Sequence, residues 1–266
     1  MNYNNNFIRL SVLLASTLAL SACGGGGGGG TPAQPAAPTT VSRQAIMTTG
    51  QETTAPLAEP HAATPGGNAK FELYSTNRLR GSMTLTGFAT PADVTAAHLH
   101  DGDAGANGNI VVHLTSTDNI TWTVLPAEKI LSDSVVARFK AGGLYANAHT
   151  ATNGAGVVRG QLISFNDNIQ TIFNASCAVS PCHVAGGQAP MSLATGASIG
   201  NLVNVTSTFS TPQGPRVSKF DSANSVLYKR VSGTTSGPQM PLNGTPISTV
   251  NQNLIKVWID MGAAND

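Results

Sequence analysis

From Val41 to Ser164, short β-rich runs alternate with turn residues. The runs Lys70–Ser75, Arg78–Phe88, Val94–His100, Asn109–Thr115, Val135–Phe139, Leu144–Thr150 and Val157–Ile163 predict strands. The glycine-rich stretch Asp101–Asn109 and the Asn153-Gly154 pair predict turns between them. Strands this short and evenly spaced point to an antiparallel sandwich or barrel. After Asn166 the spacing becomes helical. Ile169, Ile172 and Phe173 fall on one helix face, as do Ile199, Leu202 and Val203. Val226, Leu227 and Val231 predict a further helix ended by Gly233. The last helix is capped by Ser248, carries Val250, Leu254, Val257, Trp258 and Met261 on one face, and stops at Gly262. The expectation is two domains: an all-β domain over residues 41–164 and a small all-α domain over 165–266.

The first forty residues have another character. Arg9 precedes an apolar run from Leu10 to Leu20 that is too short to span a membrane and reads as a secretory signal over residues 1–22. Leu20-Ser21-Ala22-Cys23 resembles the lipobox of bacterial lipoproteins, which implies cleavage before Cys23 and acylation of that residue. Gly24 follows and no retaining Asp does, so the expected location is extracytoplasmic, at the outer membrane, on its periplasmic or surface face. Residues 23–40 read as a tether: seven glycines in a row, then a segment stiffened by Pro32, Pro35 and Pro38. Fully extended, Gly24 to Thr40 reaches roughly 55–60 Å.

Charge narrows the partners. Only 10% of the 266 residues are charged and the net charge is +1, with Lys and Arg scattered, so no nucleic-acid surface is expected. The expected membrane contact runs through the lipid, and the redox partners are not specified by the sequence.

Three cysteines remain to be accounted for. Cys23 is assigned to lipid. Cys177 and Cys182, four residues apart and followed at once by His183, supply what covalent haem attachment requires: two thiols for the vinyl groups and an imidazole for the iron. The common spacing has two intervening residues, so a loop is expected here, held in part by Pro181. The competing reading is a local Cys177–Cys182 disulfide. Met240, between Gly237-Pro238 and Pro241, is the candidate sixth ligand; Met191 lies too close behind His183 to reach the opposite face. The expected cofactor is thus one covalent haem c on Cys177 and Cys182, with His183 and Met240 at the iron.

Two resemblances add to this. Gly50-Gln51-Glu52, Ala97-His98-Leu99-His100-Asp-Gly, Asn107-Gly108-Asn-Ile-Val-Val, Gly143-Leu-Tyr145-Ala-Asn147-Ala-His149-Thr150 and Arg159-Gly160-Gln161-Leu162 resemble the CHRD domain. That resemblance implies a fold more than a function. Val157 departs from it, where the family often has Glu. Ile172-Phe173, Cys182-His183, Asn201–Val205, Met240-Pro241-Leu242 and Trp258–Ala263 resemble single-haem, class I cytochrome c domains. That second resemblance implies electron transfer more than catalysis.

His98 and His100, two apart on a strand, face one side, and His149 on another strand could join them as ligands to copper or zinc. The preferred reading from sequence is that these rings bond loop backbone, with Asn147 and Arg159 in the same network, since no fourth His or Asp is placed to complete a closed site. His113 reads as a surface residue. Three functions follow from these residues: a haem-based electron carrier, a copper-dependent redox enzyme using the β-domain histidines, and a structural module with a disulfide.

Overall fold

The computed structural model describes residues 40–124, 128–210, 213–234 and 237–266. The expected signal segment, the lipidated Cys23 and the tether up to residue 39 lie outside the described residues.

The first segment is β1 (Val41–Thr48), β2 (His61–Leu73), β3 (Arg78–Phe88), β4 (Val94–Asp101), β5 (Asn109–Thr115), β6 (Thr121–Val124), β7 (Lys129–Ile130), β8 (Leu144–Thr150) and β9 (Val158–Gln161), with α1 (Asp133–Lys140) between β7 and β8. All pairings are antiparallel, in the order β2-β1-β9-β8-β4-β5-β6-β3, and β3 pairs back onto β2. The sheet therefore closes into an eight-stranded barrel, and β7 continues along the β3 edge past β6. Closure leaves no free strand edge along this ring. Alternation sorts side chains between interior and exterior. Ala97 and Leu99 on β4, Val112 and Leu114 on β5, and Ala146 and Ala148 on β8 join one apolar cluster.

One predicted strand is a helix. Val135–Phe139 lies within α1, whose N-cap Ser132 accepts the Val135 N–H at 3.4 Å. Asp133 in the first turn and Arg138 and Lys140 in the last suit the helix dipole. Val136 and Phe139, three apart, bury into the barrel cluster. The apolar pair is a helix stripe, not strand alternation.

The second segment opens with a π-type turn (Phe165–Ile169) running into α2 (Gln170–Ser176), followed by α3 (Ser198–Leu202), α4 (Val226–Ser232) and α5 (Thr249–Asp260). Long irregular connections separate these helices, and β10 (Thr206–Ser207) pairs with β11 (Gly214–Pro215) as a short ribbon. The segment is therefore not wholly helical. Ser248 caps α5 by accepting from Asn251 N–H at 3.2 Å, and Gly233 ends α4 in the left-handed region at φ 73°. Val250 is 37% exposed, outside the buried face expected for it, because the first turn of α5 projects past the core. A second apolar cluster gathers Phe165, Phe173, Leu202, Leu227 and Trp258. The Trp258 ring lies 5.3 Å from Phe165 and 6.3 Å from Phe173, which brings α5 onto the start of the segment.

Buried Arg43 joins the two segments. From β1 it donates to the Lys140 carbonyl at 2.7 Å and pairs with Asp167 at 2.8 Å. Met261 touches both apolar clusters, and Asn253 of α5 donates to the Ala104 carbonyl at 2.9 Å. No helix among the described residues is long and apolar enough to cross a membrane.

Candidate functional site

The histidines lie on the outer wall of the barrel. In β4, His98 pairs with Asn147 and His100 with Tyr145, so these side chains share a face with His149, Arg159 and Gln161. Polar groups on the outside of a sheet ordinarily meet water. Here every residue of β8 and β9 is buried on both faces. Two loops contribute to the cover: Gly102–Gly108, tied to Tyr145, Arg159 and Gln161, and the turn holding Gly154.

Within this covered face His98, His100 and His149 bring one ring nitrogen each to within 4.8 Å of one another. His100 Nδ1 is 3.0 Å from the Gly108 carbonyl oxygen and His149 Nδ1 is 3.1 Å from that of Gly154. A carbonyl can only accept, so both Nδ1 atoms carry hydrogen and both Nε2 atoms present lone pairs. His149 Nε2 lies 3.1 Å from His98 Nδ1. His100 Nε2 is buried with no hydrogen-bond partner among the described residues. His100 is fixed further by stacking on Tyr145 at 4.9 Å, and Tyr145 lies under the Arg159 guanidinium at 3.5 Å.

Burial lowers the pKa of all three rings. For His98 burial acts first and the neighbouring His149, His100 and His113 add to it, pushing the ring down to about 4. For His100 and His149 burial outweighs the opposing bonds to Gly108 and Gly154. The rings are neutral near pH 7, the form that ligates metals. His113 is exposed but lies edge-on to His98, with ring centroids 4.8 Å apart.

The bonds to loop backbone expected from sequence are present at the two Nδ1 atoms, and they leave the Nε2 lone pairs for other partners, which at His149 is the His98 N–H. Asn147 and Arg159 share the face but bond elsewhere. Asn147 donates to Glu52 at 2.8 Å, and Arg159 donates to the Asp103 carbonyl at 2.9 Å. Sequence reasoning gave Glu52 and Tyr145 no site role. Burial pushes the Glu52 carboxyl up to about 7, against the pull of the Asn147 bond and the Arg159 charge.

The cysteine–histidine segment is the second candidate. Cys177 follows α2 directly, half-buried, and Cys182 is exposed; both are free thiols. The chain between them folds back, with His183 N–H donating to the Cys177 carbonyl at 3.2 Å and Cys182 N–H to that of Val179 at 2.7 Å. Burial first, and the neighbouring Cys182 second, raise the Cys177 thiol to about 11. His183 Nδ1 is 3.2 Å from the Met191 carbonyl, so its Nε2 holds a free lone pair. Burial also keeps this ring neutral. Met191 is thus engaged through its backbone on the His183 side. Met240, half-buried, is held by its N–H on the Arg230 carbonyl at 2.9 Å.

Comparison with known families bears on the barrel. Residues 43–162 match the CHRD domain. The CHRD match runs from β1 to the end of the last barrel strand, so the histidine face lies wholly inside it. No curated protein and no solved structure matches the chain.

Proposed function

We propose that this chain is an extracytoplasmic electron-transfer lipoprotein, anchored through acylated Cys23, whose second segment carries one haem c. The observation that carries the reading is the donor set at Cys177–His183. Two thiols flank a tight loop, and the adjoining imidazole is neutral with Nδ1 on the Met191 carbonyl. A backbone acceptor at one ring nitrogen is the usual way to aim the other at a metal. The residues fit the group in type and in tautomer.

In this reading Cys177 and Cys182 would hold the haem through thioethers, and His183 Nε2 and the Met240 sulfur would be its iron ligands. A haem held there would supply one-electron chemistry. The chain's own contribution is positional. The Met191 carbonyl fixes the His183 tautomer, and Phe165, Phe173 and Trp258 fix the helices on either side. The CHRD barrel then presents the redox segment to partners.

The test is expression of the full chain in a host with haem-attachment machinery, followed by a haem-stained denaturing gel and a visible spectrum. Covalent stain and the sharp α-band of a reduced c-type haem are expected, with Cys177→Ala and Cys182→Ala each weakening the stain. Met240→Ala is expected to keep the stain and lose the sulfur–iron charge-transfer band. A colourless product whose mass shows a Cys177–Cys182 disulfide overturns the proposal.

A further inference from the structure

We infer that the outer wall of the CHRD barrel is a metal site in which His98 Nδ1, His100 Nε2 and His149 Nε2 bind one divalent ion, copper(II) in preference to zinc(II). This does not rest on the haem reading.

Geometry leads. Two imidazole nitrogens on one tetrahedral ion, each about 2.0–2.1 Å from it, lie about 3.3 Å apart. His98 Nδ1 and His149 Nε2 already stand 3.1 Å apart, and all three nitrogens fall within 4.8 Å. Small ring rotations therefore bring the lone pairs onto a common point. Metal-free, the His98 Nδ1–H donates to His149 Nε2; to ligate through Nδ1, His98 takes the other neutral tautomer, its hydrogen moving by way of solvent from Nδ1 to Nε2.

The surroundings have the features of a built site. His100 is 9% exposed and its Nε2 has no partner among the described residues, a loss of hydrogen bonding that folded proteins avoid. An ion at the cluster would satisfy it. Each Nδ1 of His100 and His149 sits on a carbonyl, and this second shell sets the tautomer that leaves Nε2 free. The loop carrying one of these carbonyls requires glycine: a Cβ at Gly108 would collide with the Asp101 carbonyl.

Donor chemistry selects the ion. Three neutral imidazoles without a carboxylate or thiolate disfavour calcium and magnesium. Among divalent first-row ions copper(II) binds nitrogen sites most tightly. Three protein ligands also leave a position for water or an exogenous ligand. His98 is only half-buried, so that position can face solvent.

The experiment dialyses the full chain against copper(II) in a competing chelator, then measures copper content and the electron paramagnetic resonance spectrum. The wild type is expected to retain one copper per chain with superhyperfine splitting from nitrogen. His98→Ala and His149→Ala should each bind at least about 100-fold more weakly. His61→Ala and the Cys177→Ser/Cys182→Ser double variant should bind as wild type does. Equal retention by wild type and both cluster variants overturns the site, as does loss of copper with the two cysteines. Should the alanine variants misfold, the wild-type spectrum decides alone: nitrogen splitting supports the site, and sulfur or oxygen coordination without it overturns it.

Discussion

Glu52 shows how far one buried side chain can depart from its solution behaviour. Its carboxyl titrates near 7 in the fold because burial disfavours the charge, against an ordinary value of 4.5. Between those values the folded chain holds a proton that the unfolded chain has lost, so this residue's contribution falls as pH rises from about 4.5 to about 7. Glu52→Gln keeps an oxygen for the Asn147 N–H and removes the charge. It should melt later than wild type at pH 8, by about 1–2 kcal/mol after allowing for partial exposure, and with it at pH 5. Taking the difference between variant and wild type cancels the histidines, whose lowered values act in the opposite direction. Trp258 makes the complementary case. It is 3% exposed, packs on two phenylalanine rings, and donates to the Ala264 carbonyl at 2.9 Å. Trp258→Ala should lower stability by about 3–5 kcal/mol in urea unfolding. At this scale the sequence was legible where spacing alone decides: His98 and His100 face one way because they are two apart on a strand. The elevated Glu52 was not legible, since its cause is burial in the folded chain, beside Asn147 and Arg159 about a hundred residues away in sequence, and no local pattern shows it.

Elements were legible where the apolar pattern was long and capped. Ser248 and Gly262 bracket α5, and the helix forms between them. Ser248→Ala should remove about 1 kcal/mol, read from the urea midpoint. Short pieces misled. Val135–Phe139 is β-branched and aromatic enough to read as a strand, yet Ser132, Asp133 and the closing Arg138 and Lys140 make it α1. β6 spans only Thr121–Val124, and its apolar Trp122 and Val124 gain meaning from pairing with β3 and β5. β1 carries a buried Arg43 in an otherwise alternating run, which hid it. The glycine loop after β4 was foreseen as a loop, but its use as the carbonyl acceptor for His100 depends on tertiary closure. Gly108→Ala must shift that carbonyl; a loss of several degrees in melting temperature is expected by calorimetry.

For the molecule as a whole, the seam between barrel and helices depends on Arg43. Its guanidinium is buried, whereas its partner Asp167 is 59% exposed. Asp167→Asn should therefore change stability by under about 1 kcal/mol. Arg43→Ala leaves the Lys140 carbonyl without that donor and opens a void; it should lower stability by about 2–4 kcal/mol. Chemical denaturation of both variants checks the contrast, and equal effects would contradict it. No local pattern reveals this seam, because β1 and residue 167 are 124 positions apart. The sequence left sandwich and barrel open, because it predicted strands without their order, and the pairing of β3 back onto β2 decides for the barrel.

The Gln44 side chain in β1 reaches the Asp266 carboxylate at 2.9 Å, so the start of the barrel and the final residue are neighbours. A short flexible bridge could splice residue 266 to residue 40, with fresh ends cut at the turn around Asn119, where φ is already positive. Such a circular permutant should refold to the same barrel and helices, because the arrangement is indifferent to the order in which its segments are written.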